Sequence, residues 1–357
     1  MSGRLFIQAM NVHQGGGLAL LLPLIQALPP GRQVVLLVDG RARLPSDLPA
    51  ALTVRVVSPT LPARWAAERW LRREVAALDT LLCFGNLPPL LASRGRVVVF
   101  VQNRYLIDPV PLAALPPRVR LRLALERVWL ARCAGHAATF LVQTPTMRRL
   151  LAQALPAHAA RIGVWPFAAA QPALPRGVAT VPREADFIYP ASGDAHKNHR
   201  RLVQAWVLLA QDGLRPGLQL TFDAAAHPDL TAFVETQGRQ HGLAIRNLGT
   251  LPHGELLDRY RRVDALIYPS LLESFGLPLI EAAAAGLPVV AAELDYVRDI
   301  LDPTQAFDPL SPVSIARAVK RFMGRREADL ELMDAADFLA RLMVNDEVPC
   351  SSETMPG

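Results

Sequence analysis

The chain is poor in cysteine and has almost no lysine. Its 357 residues include three cysteines, Cys83, Cys133 and Cys350, whose spacing matches neither a disulfide framework nor a zinc site. Two of its 38 basic residues are lysines, Lys197 and Lys320. The thiols predict a reduced protein of the cytoplasm, and the scarcity of lysine makes the place of each one informative.

Long apolar runs and a targeting segment are also lacking. No apolar run approaches the roughly 20 residues of a membrane span, and the opening Met1–Arg4 does not read as the start of a signal peptide. Because 51% of the residues are hydrophobic and 20% are charged, a folded protein is expected. Its length suits two domains of ordinary size.

Charge is distributed unevenly along the chain. Residues 1–170 contain 20 arginines and 7 acidic residues, a net charge of +13, whereas the remainder has 18 basic and 25 acidic residues, a net charge of −7. The basic half predicts an anionic partner, such as a membrane surface or a phosphate-bearing acceptor. Nucleic acid is not expected, because no nucleic-acid-binding module is visible. An arginine-rich proteome with uneven surfaces is the alternative.

Apolar runs typical of buried strands alternate with helical stretches in both halves, which predicts an α/β protein with two doubly wound domains. We expect these domains at residues 1–168 and 185–344, a Pro- and Ala-rich linker at 169–184 and a disordered tail at 345–357. The predicted strands are Arg4–Ala9, Val34–Val38, Thr53–Val57, Leu81–Phe84, Val97–Val101, Thr139–Gln143, Asp186–Tyr189, Leu218–Phe222, Ala244–Leu248, Val263–Tyr268 and Pro288–Ala292. The predicted helices include Leu18–Ala27, Pro62–Leu78, Pro117–Cys133, Pro312–Met323 and Glu331–Val344.

The most informative segment is ESFGLPLIE, which places two glutamates eight residues apart. The apolar run Val263–Pro269 before it suits a buried parallel strand. Pro278 is suited to the first turn of a helix and Gly286 to its end. Glu273 is therefore expected in the loop before the helix, and Glu281 about one turn inside it.

The backbone between these glutamates is expected to face a crevice. Gly276 allows a ligand to approach the backbone closely, and the N–H groups of Phe275, Gly276 and Leu277 lie where a helix N-terminus favours anions. The two carboxylates can accept hydrogen bonds from vicinal hydroxyls. Phosphates beside hydroxyls are the features of a nucleotide sugar.

The E-x7-E pattern, within ESFGLPLIEAAAAGLPVVAAE, resembles the donor-site signature of retaining glycosyltransferases of the GT-B type, particularly family 4. The similarity extends from Leu248 to Val290. It implies two Rossmann-like domains facing each other across a cleft, the first binding the acceptor and the second the nucleotide-sugar donor. Glu281 would accept hydrogen bonds from the ribose, and Glu273 would hold hydroxyls of the donor sugar. An ordinary strand–loop–helix unit with two solvated glutamates is the alternative interpretation.

A glycine-rich loop, NVHQGGG, lies between the first predicted strand and helix. Gly15, Gly16 and Gly17 would let the backbone approach a diphosphate, and in the family that the chain resembles such a loop reaches the donor phosphates. Binding of NAD is another interpretation, because Asp39 ends the second strand. However, Leu20 stands where the dinucleotide fingerprint has a small residue. A plain strand-to-helix turn is the simplest alternative.

Lys197 follows the first strand of the second half, within the sequence HKNH. By resemblance it matches the family's phosphate-binding lysine and would neutralise the leaving nucleoside diphosphate, for which a compact, mobile charge is suited. The family's upstream arginine is absent, because residues 191–194 read Ala-Ser-Gly-Asp. Arg200 and Arg201 are the nearest replacements, although both are expected to start a helix.

Gln102 and Asn103 follow the strand Val97–Val101 at the carboxyl end, where α/β sheets place ligands. They are candidate contacts to the acceptor or the donor sugar, but they cannot act as acid or base at neutral pH, and many family members have a histidine nearby. The front-face mechanism usually proposed for the family needs no protein base, because the departing phosphate oxygen takes the acceptor proton. Asn86 and Gln143 are further candidates for the cleft lining.

The arginine-rich helix Pro117–Cys133 is a candidate for contact with an anionic membrane. Its apolar residues would either pack inward or enter lipid, and a plain surface helix is the alternative. The arginines in question are Arg118, Arg120, Arg122 and Arg127, and the apolar residues are Leu121, Leu125, Val128 and Trp129.

These patterns and the resemblance predict a retaining glycosyltransferase that needs neither a metal nor another cofactor. Glu273 and Lys197 are the predicted catalytic residues. The acceptor would be a hydroxyl of a glycan or lipid-linked glycan in bacterial-type surface polysaccharide synthesis, in the cytoplasm or at the inner face of the plasma membrane. Two alternatives stay open: a sugar-nucleotide epimerase of the same fold, and a catalytically silent sugar- or nucleotide-binding subunit of a glycan assembly complex.

Overall fold

The computed structural model describes residues 3–29, 31–110, 115–168 and 183–325, and its first half is built on a seven-stranded sheet. The strands are β1 (Leu5–Ala9), β2 (Val34–Asp39), β3 (Leu52–Val57), β4 (Thr80–Cys83), β5 (Arg96–Phe100), β6 (Thr139–Val142) and β7 (Ile162–Val164). Their order is β3-β2-β1-β4-β5-β6-β7, and all neighbours are parallel.

A six-stranded sheet forms the second half. Its strands are β8 (Ala185–Tyr189), β9 (Leu218–Leu220), β10 (Ile245–Asn247), β11 (Val263–Tyr268), β12 (Val289–Ala292) and β13 (Gln305–Phe307). Their order is β10-β9-β8-β11-β12-β13, again with parallel neighbours throughout. In both sheets the order runs outward in two directions from a central pair, which is the doubly wound arrangement of Rossmann-like domains. The α/β fold class is therefore confirmed.

Helices connect the parallel strands and bury their apolar faces against the sheets. In the first half two buried clusters are built around Phe6 and Ile7, neighbouring residues of β1. Because neighbouring strand residues point to opposite faces, these clusters lie on the two sides of the sheet. The α-helices of the described residues are α1 (Gly15–Gln26), α2 (Leu61–Glu74), α3 (Pro117–Cys133), α4 (Pro145–Ala154), α5 (His199–Gln211), α6 (Pro228–His241), α7 (His253–Tyr260), α8 (Leu277–Ala284), α9 (Asp295–Arg298) and α10 (Pro312–Phe322).

The predicted strands are confirmed, with ends that differ by one or two residues. Strands β7 and β13, of three residues each, were not predicted. The helix predicted at Pro62–Leu78 is shorter than expected and ends at Glu74. The reason is Val75, which is fully buried and adopts an extended conformation with ψ of 111°.

Several predictions fall on other parts of the chain. The linker at 169–184 lies almost wholly outside the described residues, as do the helix Glu331–Val344 and the tail 345–357. The domain boundaries therefore stay predictions. No helix in the described ranges is both long enough and apolar enough to cross a membrane.

The two halves contact each other through α4 and α9. The backbone N–H of Thr146 donates to Asp299 Oδ2 at 2.9 Å, and Arg149 forms an ion pair with Asp295. Thr144 caps α4 by accepting a hydrogen bond from the Met147 N–H at 3.2 Å. These contacts hold the halves side by side with their strand ends facing one cleft.

Candidate functional site

The cleft lies where the order of strands reverses in both sheets. The reversal falls between β1 and β4 in the first sheet and between β8 and β11 in the second. Ligands of open α/β sheets bind at such points, beyond the carboxyl ends of the strands. The loops after these four strands line a single cleft of about 760 Å³.

The loop after β11 adopts the predicted conformation. Gly276 has a φ of +70°, in the left-handed region that favours glycine, and α8 begins at the next residue. Pro278 lies in the first turn of that helix. Glu273 therefore stands in the loop and Glu281 inside the helix, as the sequence predicted. Both glutamates line the cleft.

The start of α8 leaves donors available to a ligand. In the described part of the chain, the backbone N–H groups of Phe275, Gly276 and Leu277 have no hydrogen-bond acceptor. All three residues line the cleft. Unpaired N–H groups at a helix N-terminus form a favourable environment for an anion.

Lys197 and Glu273 meet in the cleft although 76 positions separate them. Lys197 Nζ lies 2.6 Å from Glu273 Oε1, and the side chains are only 15% and 12% exposed. The hydroxyl of Tyr268 donates to the same oxygen at 2.9 Å. Burial next to Glu273 raises the pKa of Tyr268 well above its ordinary value, so this tyrosine stays a donor.

The backbone around Lys197 is held by buried hydrogen bonds. The Tyr189 hydroxyl donates to the Lys197 carbonyl at 2.7 Å. Asn198, with a φ of +63°, donates from Nδ2 to the carbonyls of Pro269 at 3.1 Å and Pro309 at 2.7 Å. These bonds tie the loop after β8 to the loop after β11, which fixes the position from which Lys197 reaches Glu273.

Glu281 occupies a drier environment. It is 8% exposed, and its Oε2 accepts a hydrogen bond from the Tyr260 hydroxyl at 3.3 Å. His253 Nδ1 lies 3.6 Å from Oε1. Burial raises the pKa of Glu281 above its ordinary value, although His253 and Tyr260 oppose that rise. A carboxylate that is short of hydrogen-bond donors is suited to accept hydrogen bonds from ligand hydroxyls.

The opposite wall carries the three glycines, which form the first turn of α1 rather than the loop expected before a helix at Leu18. Gly15 has a φ of +65°, and the space beside Gly15 and Gly16 is open, because a Cβ there would meet no atom within 4 Å. Gly17 is closer to its neighbours, since its Cβ would lie 3.3 Å from Val12 Cγ1. The first turn of α1 therefore faces the cleft, and its role toward donor phosphates stays a prediction.

Amide side chains form the rest of that wall. Asn86, with a φ of +74°, accepts hydrogen bonds at Oδ1 from the backbone N–H groups of Gln102 at 2.6 Å and Asn103 at 2.8 Å. The Gln102 side chain donates to the Phe84 carbonyl at 3.0 Å. Asn103 Oδ1 accepts from the Tyr105 N–H at 3.1 Å. The predicted cleft residues Gln102, Asn103, Asn86 and Gln143 all line the cleft.

Beside the cleft, Arg104 also reaches from the first half to the second. Arg104 Nη1 lies 3.4 Å from the Glu273 carbonyl oxygen, to which it donates, while its Nε donates to Asp108 Oδ2 at 2.6 Å. Nearby, the ring of Tyr105 packs edge-on against His196, with centroids 5.9 Å apart. The two halves therefore touch beside the Lys197–Glu273 pair.

The structure argues against the NAD interpretation. Asp39 is fully buried and forms a two-bond pair with Arg41, at 2.8 and 2.9 Å, which lowers its pKa to about 2. It does not line the cleft. An aspartate already bonded to an arginine is not available to a ribose.

The suggested replacements for the absent arginine are wrong. Arg200 stacks on the Phe233 ring at 4.6 Å, and Arg201 donates to Asn198 Oδ1 at 3.1 Å. Both line a smaller cavity on the far side of His227. Among the described residues no arginine lines the cleft, and its basic side chains are those of Lys197, His227 and His253.

Arg127 was expected to face a membrane, and that expectation is also wrong. Its guanidinium donates to the backbone carbonyls of Tyr105 at 2.7 and 3.0 Å and Asp108 at 2.8 Å. It is thus bound within the domain. Trp129 is half-buried and lines a second cavity.

Sequence reasoning missed the residues that support the two glutamates. Tyr268 and Tyr260 donate to Glu273 and Glu281, and His253 lies beside Glu281. Tyr268 could have been found, because it ends β11 directly before the motif. Tyr260 and His253 lie on α7, and no local pattern connects them with Glu281. The described residues include no cluster of three or more metal-ligating side chains, and the absence of a metal requirement stays a prediction.

Comparisons with known proteins agree with this geometry. Residues 172–336 match the family model described as glycosyl transferases group 1. The chain is 31% identical over 115 residues to O-antigen chain mannosyltransferase B of Escherichia coli. This matched segment covers 32% of this chain and 30% of that protein. The chain thus spans less than a third of the length of the curated relatives that it matches.

Solved structures extend the comparison to both halves. Anabaena HepE, crystallised with UDP and glucose, superposes with a TM-score of 0.61 over 90% of each chain, at 15% identity. Sucrose-phosphate synthase of Thermosynechococcus elongatus superposes with a TM-score of 0.64 over 90% of each chain, also at 15% identity. At such identities the likeness concerns the fold alone, and the fold is that of GT-B glycosyltransferases.

Proposed function

We propose that this protein is a retaining glycosyltransferase that transfers a sugar from a nucleotide-sugar donor to a hydroxyl of an acceptor. The observation that carries the proposal is the Lys197–Glu273 pair, 2.6 Å apart, at the open N-terminus of α8. It places a cation, a carboxylate and unpaired N–H groups on one wall of a cleft. A diphosphate and a sugar need these groups side by side.

Each group on this wall has a role in donor binding. Glu281 accepts hydrogen bonds from the ribose hydroxyls, in addition to the one from the Tyr260 hydroxyl. Glu273 accepts from hydroxyls of the donor sugar, while Tyr268 keeps its carboxylate oriented. The N–H groups of Phe275, Gly276 and Leu277 support the sugar and the phosphates.

Lys197 acts in the chemical step. As the bond between the anomeric carbon and the phosphate oxygen breaks, the electron pair stays on that oxygen, and Lys197 with the Gly15–Gly17 loop stabilises the charge. The acceptor oxygen bonds to the anomeric carbon on the same face, and its proton passes to the departing phosphate oxygen. This route requires no protein base, which suits a wall lined by amides such as Gln102 and Asn103. Such electrostatic stabilisation is typically the largest single term in catalysis.

The acceptor is proposed to be a glycan or lipid-linked glycan in the synthesis of a bacterial surface polysaccharide. The E. coli relative is named as an O-antigen chain mannosyltransferase, which supports this class of acceptor. Sucrose-phosphate synthase has the same fold but a different named product. Neither the sugar nor the base is therefore carried over from any relative.

The donor pocket is tested by thermal stabilisation with UDP, GDP, ADP, CMP and their sugar nucleotides. We expect a selective shift that is lost in Glu281→Ala and reduced in Lys197→Ala. Lys320→Ala is the matched control, because Lys320 is equally buried, at 15% exposed, but pairs with Asp212 away from the cleft, at 2.7 Å. Stabilisation by no nucleotide at millimolar concentration would overturn the proposal.

Turnover separates the alternatives. The donor identified above is incubated with and without a panel of glycan acceptors, and the anomeric configuration of the product is determined by NMR. Transfer with retention is expected. Conversion of the donor without an acceptor would favour an epimerase, and binding without turnover on any acceptor would favour a silent binding subunit.

We also propose that α3 contacts an anionic membrane. Leu121, Leu125 and Val128 form one stripe along this helix and are 64%, 63% and 57% exposed. Arg118 and Arg122, both exposed, flank the stripe. Exposed apolar side chains beside cationic ones are typical of helices that lie in the interface of an anionic leaflet.

Flotation with vesicles tests this contact. We expect binding to vesicles that contain phosphatidylglycerol at low salt, weaker binding at high salt, and little binding to phosphatidylcholine alone. Replacing Leu121, Leu125 and Val128 by serine should abolish flotation. Serine at Leu310 and Val313, which are 59% and 46% exposed in the second half, is the control. No association at low salt would exclude the contact.

A further inference from the structure

A second cavity, of about 270 Å³, lies beside the cleft between α2 and α3. Its lining is mainly apolar and includes two tryptophans. Trp65, on α2, is 48% exposed. Trp129, on α3, is held in place because its indole N–H donates to the Pro88 carbonyl at 2.9 Å. The cavity therefore presents two aromatic side chains, one fixed and one at the surface.

Charged groups line the same cavity. Glu68 is 2% exposed, and it accepts hydrogen bonds from the Gln8 amide at 2.5 Å and the Leu90 N–H at 2.9 Å. Glu126 is less buried, and burial raises the pKa of both carboxyls. Arg64 also lines the cavity, and its Nε is buried without a hydrogen-bond partner in the described part of the chain. Glu126, which lies 3.8 Å from Arg122, offers an acceptor to a ligand. The Arg64 guanidinium donates from Nη2 to the Met10 carbonyl at 3.3 Å and to Asp39 at 3.5 Å, and its other N–H groups are the donors that it offers.

One side chain separates this cavity from the cleft. Asn11 lines both, and its Nδ2 donates to the Gly85 carbonyl at 2.7 Å. A Cβ on Gly85 would lie 1.8 Å from Asn11 Oδ1, so a larger residue does not fit there. A molecule seated between α2 and α3 therefore lies next to the loop after β1, which forms part of the cleft wall.

We propose that this cavity binds an uncharged sugar ring of the acceptor, with the acceptor chain continuing past Asn11 into the cleft. The proposal rests on the proposed function, because it takes the cleft as the place of transfer. The apolar face of a sugar ring packs on indole rings such as those of Trp65 and Trp129, and its hydroxyls pair with Glu126 and Arg64. Among the side chains that line the cavity, two carboxyls stand against one guanidinium, which disfavours an acidic or phosphorylated ring.

Binding of simple glycosides tests the assignment. Saturation-transfer NMR is recorded with the methyl glycosides of glucose, galactose and mannose, and with glucuronic acid as the charged counterpart. The variants are Trp65→Ala and Glu126→Gln. Their controls are Trp165→Ala, at an exposed tryptophan outside both cavities, and Glu235→Gln, at an exposed glutamate on α6. Each variant is also tested for the nucleotide-induced thermal shift.

We expect at least one neutral glycoside to bind, and its affinity to fall about tenfold or more in Trp65→Ala and in Glu126→Gln while the controls bind normally. Equal binding of glucuronic acid would overturn the assignment, as would binding that survives in both variants or no binding of any glycoside. A signal that disappears in Glu273→Ala alone belongs to the cleft and counts against the cavity. If one of these results overturns the assignment while the nucleotide-induced thermal shift is unchanged, only the cavity assignment has failed. A missing shift in the unmodified protein is a failure of the proposed function itself.

Discussion

The two walls of the cleft are built on the same kind of sheet but carry different chemistry. The wall from the second half holds ionisable groups, namely the Lys197–Glu273 pair and Glu281, supported by buried tyrosines. The wall from the first half holds the Gly15–Gly17 loop and neutral amides such as Gln102. Among the described residues, none of the chain's many arginines lines either wall.

This difference shows that the charged side chains of the cleft are concentrated on the wall from the second half. Charges near a diphosphate have the largest effect in a dry site, and the side chains of Lys197 and Glu273 are only 15% and 12% exposed. A wall of amides and glycines has other uses: it can bind hydroxyls and follow the shape of a ligand. The basic character of the first half therefore lies on its outer surfaces rather than in the cleft.

The largest effect on the rate of transfer is expected when the cationic group of the second wall is removed. Lys197→Ala should reduce the rate of transfer on the order of 10²-fold or more, because the charge that develops on the diphosphate loses its counterion. Gln102→Ala, in the first wall, should cost roughly tenfold or less, since a neutral hydrogen bond contributes about 1 kcal/mol. Steady-state kinetics with the identified donor measures both. Equal losses would show that the two walls do not differ as described.

The stability of the second half, beneath its wall of the cleft, should also respond to acid. His199 packs between Tyr189 and Phe222, and burial lowers its pKa from 6.5 to about 4. The folded state therefore binds fewer protons than the unfolded state between these values, and stability is lost as pH falls through that range. The loss is about 3 kcal/mol for complete protonation.

Urea unfolding at a series of pH values measures this effect. His199→Gln should flatten the decline below pH 6.5, whereas His241→Gln, at the end of α6, should leave it unchanged. Lys197, His227 and Asp194 also act on His199, so the same series is run with Lys197→Ala. A decline of equal steepness in His199→Gln would assign the acid response to other groups.

A smaller effect is expected for donor affinity. Glu281→Gln should weaken binding of the nucleoside diphosphate by about 1.5–3 kcal/mol, because a charged acceptor is replaced by a neutral one. The pKa of Glu281 is raised, so protonation begins at a higher pH than for an ordinary glutamate, and affinity should fall as pH falls. Calorimetric titration should show this pH dependence in the unmodified protein and not in the variant. His253 also faces Glu281, and His253→Gln serves as the control for its titration.

The smallest effect concerns the backbone of the first wall. Gly15→Ala should destabilise the protein by roughly 1–2 kcal/mol, since an L-residue is strained at a φ of +65°. Gly16→Ala is the matched control, because a Cβ there meets no atom within 4 Å and its φ is not in the left-handed region. The free energy of unfolding is measured for both. Equal values would mean that the loop adapts without strain.

Local sequence patterns predicted much of the fold and part of the site. The apolar runs predicted most strands, because a strand buried on both faces is apolar along its whole length. The order Glu273, Gly276, Pro278 and Glu281 predicted a loop and a helix start, because each residue acts through its own backbone. The edge strand β13, which pairs with β12 alone, was missed.

Local sequence patterns did not predict which side chains contact one another. The suggestion that Arg200 or Arg201 replaces the absent arginine failed because the direction of a helical side chain depends on how the helix packs. Asp39 ends a strand in a position typical of a ribose-binding acid, yet Arg41 bonds to it from two residues away. The membrane-facing role expected for Arg127 failed in the same way, through backbone carbonyls of Tyr105 and Asp108.

The sequence by itself determined the two parallel sheets, the turn at Gly276 and the resemblance around the E-x7-E motif, because periodicity and backbone preference act over a few neighbouring residues. Only the tertiary structure decided that Lys197 contacts Glu273, 76 positions away. It also decided that Tyr260 donates a hydrogen bond to Glu281 beside His253, and that a cavity lies between α2 and α3. Such contacts depend on how strands order themselves in a sheet and how helices pack on it. The order of the strands and the packing of the helices are set by the burial of apolar surface over the whole domain. No short sequence pattern therefore predicts them.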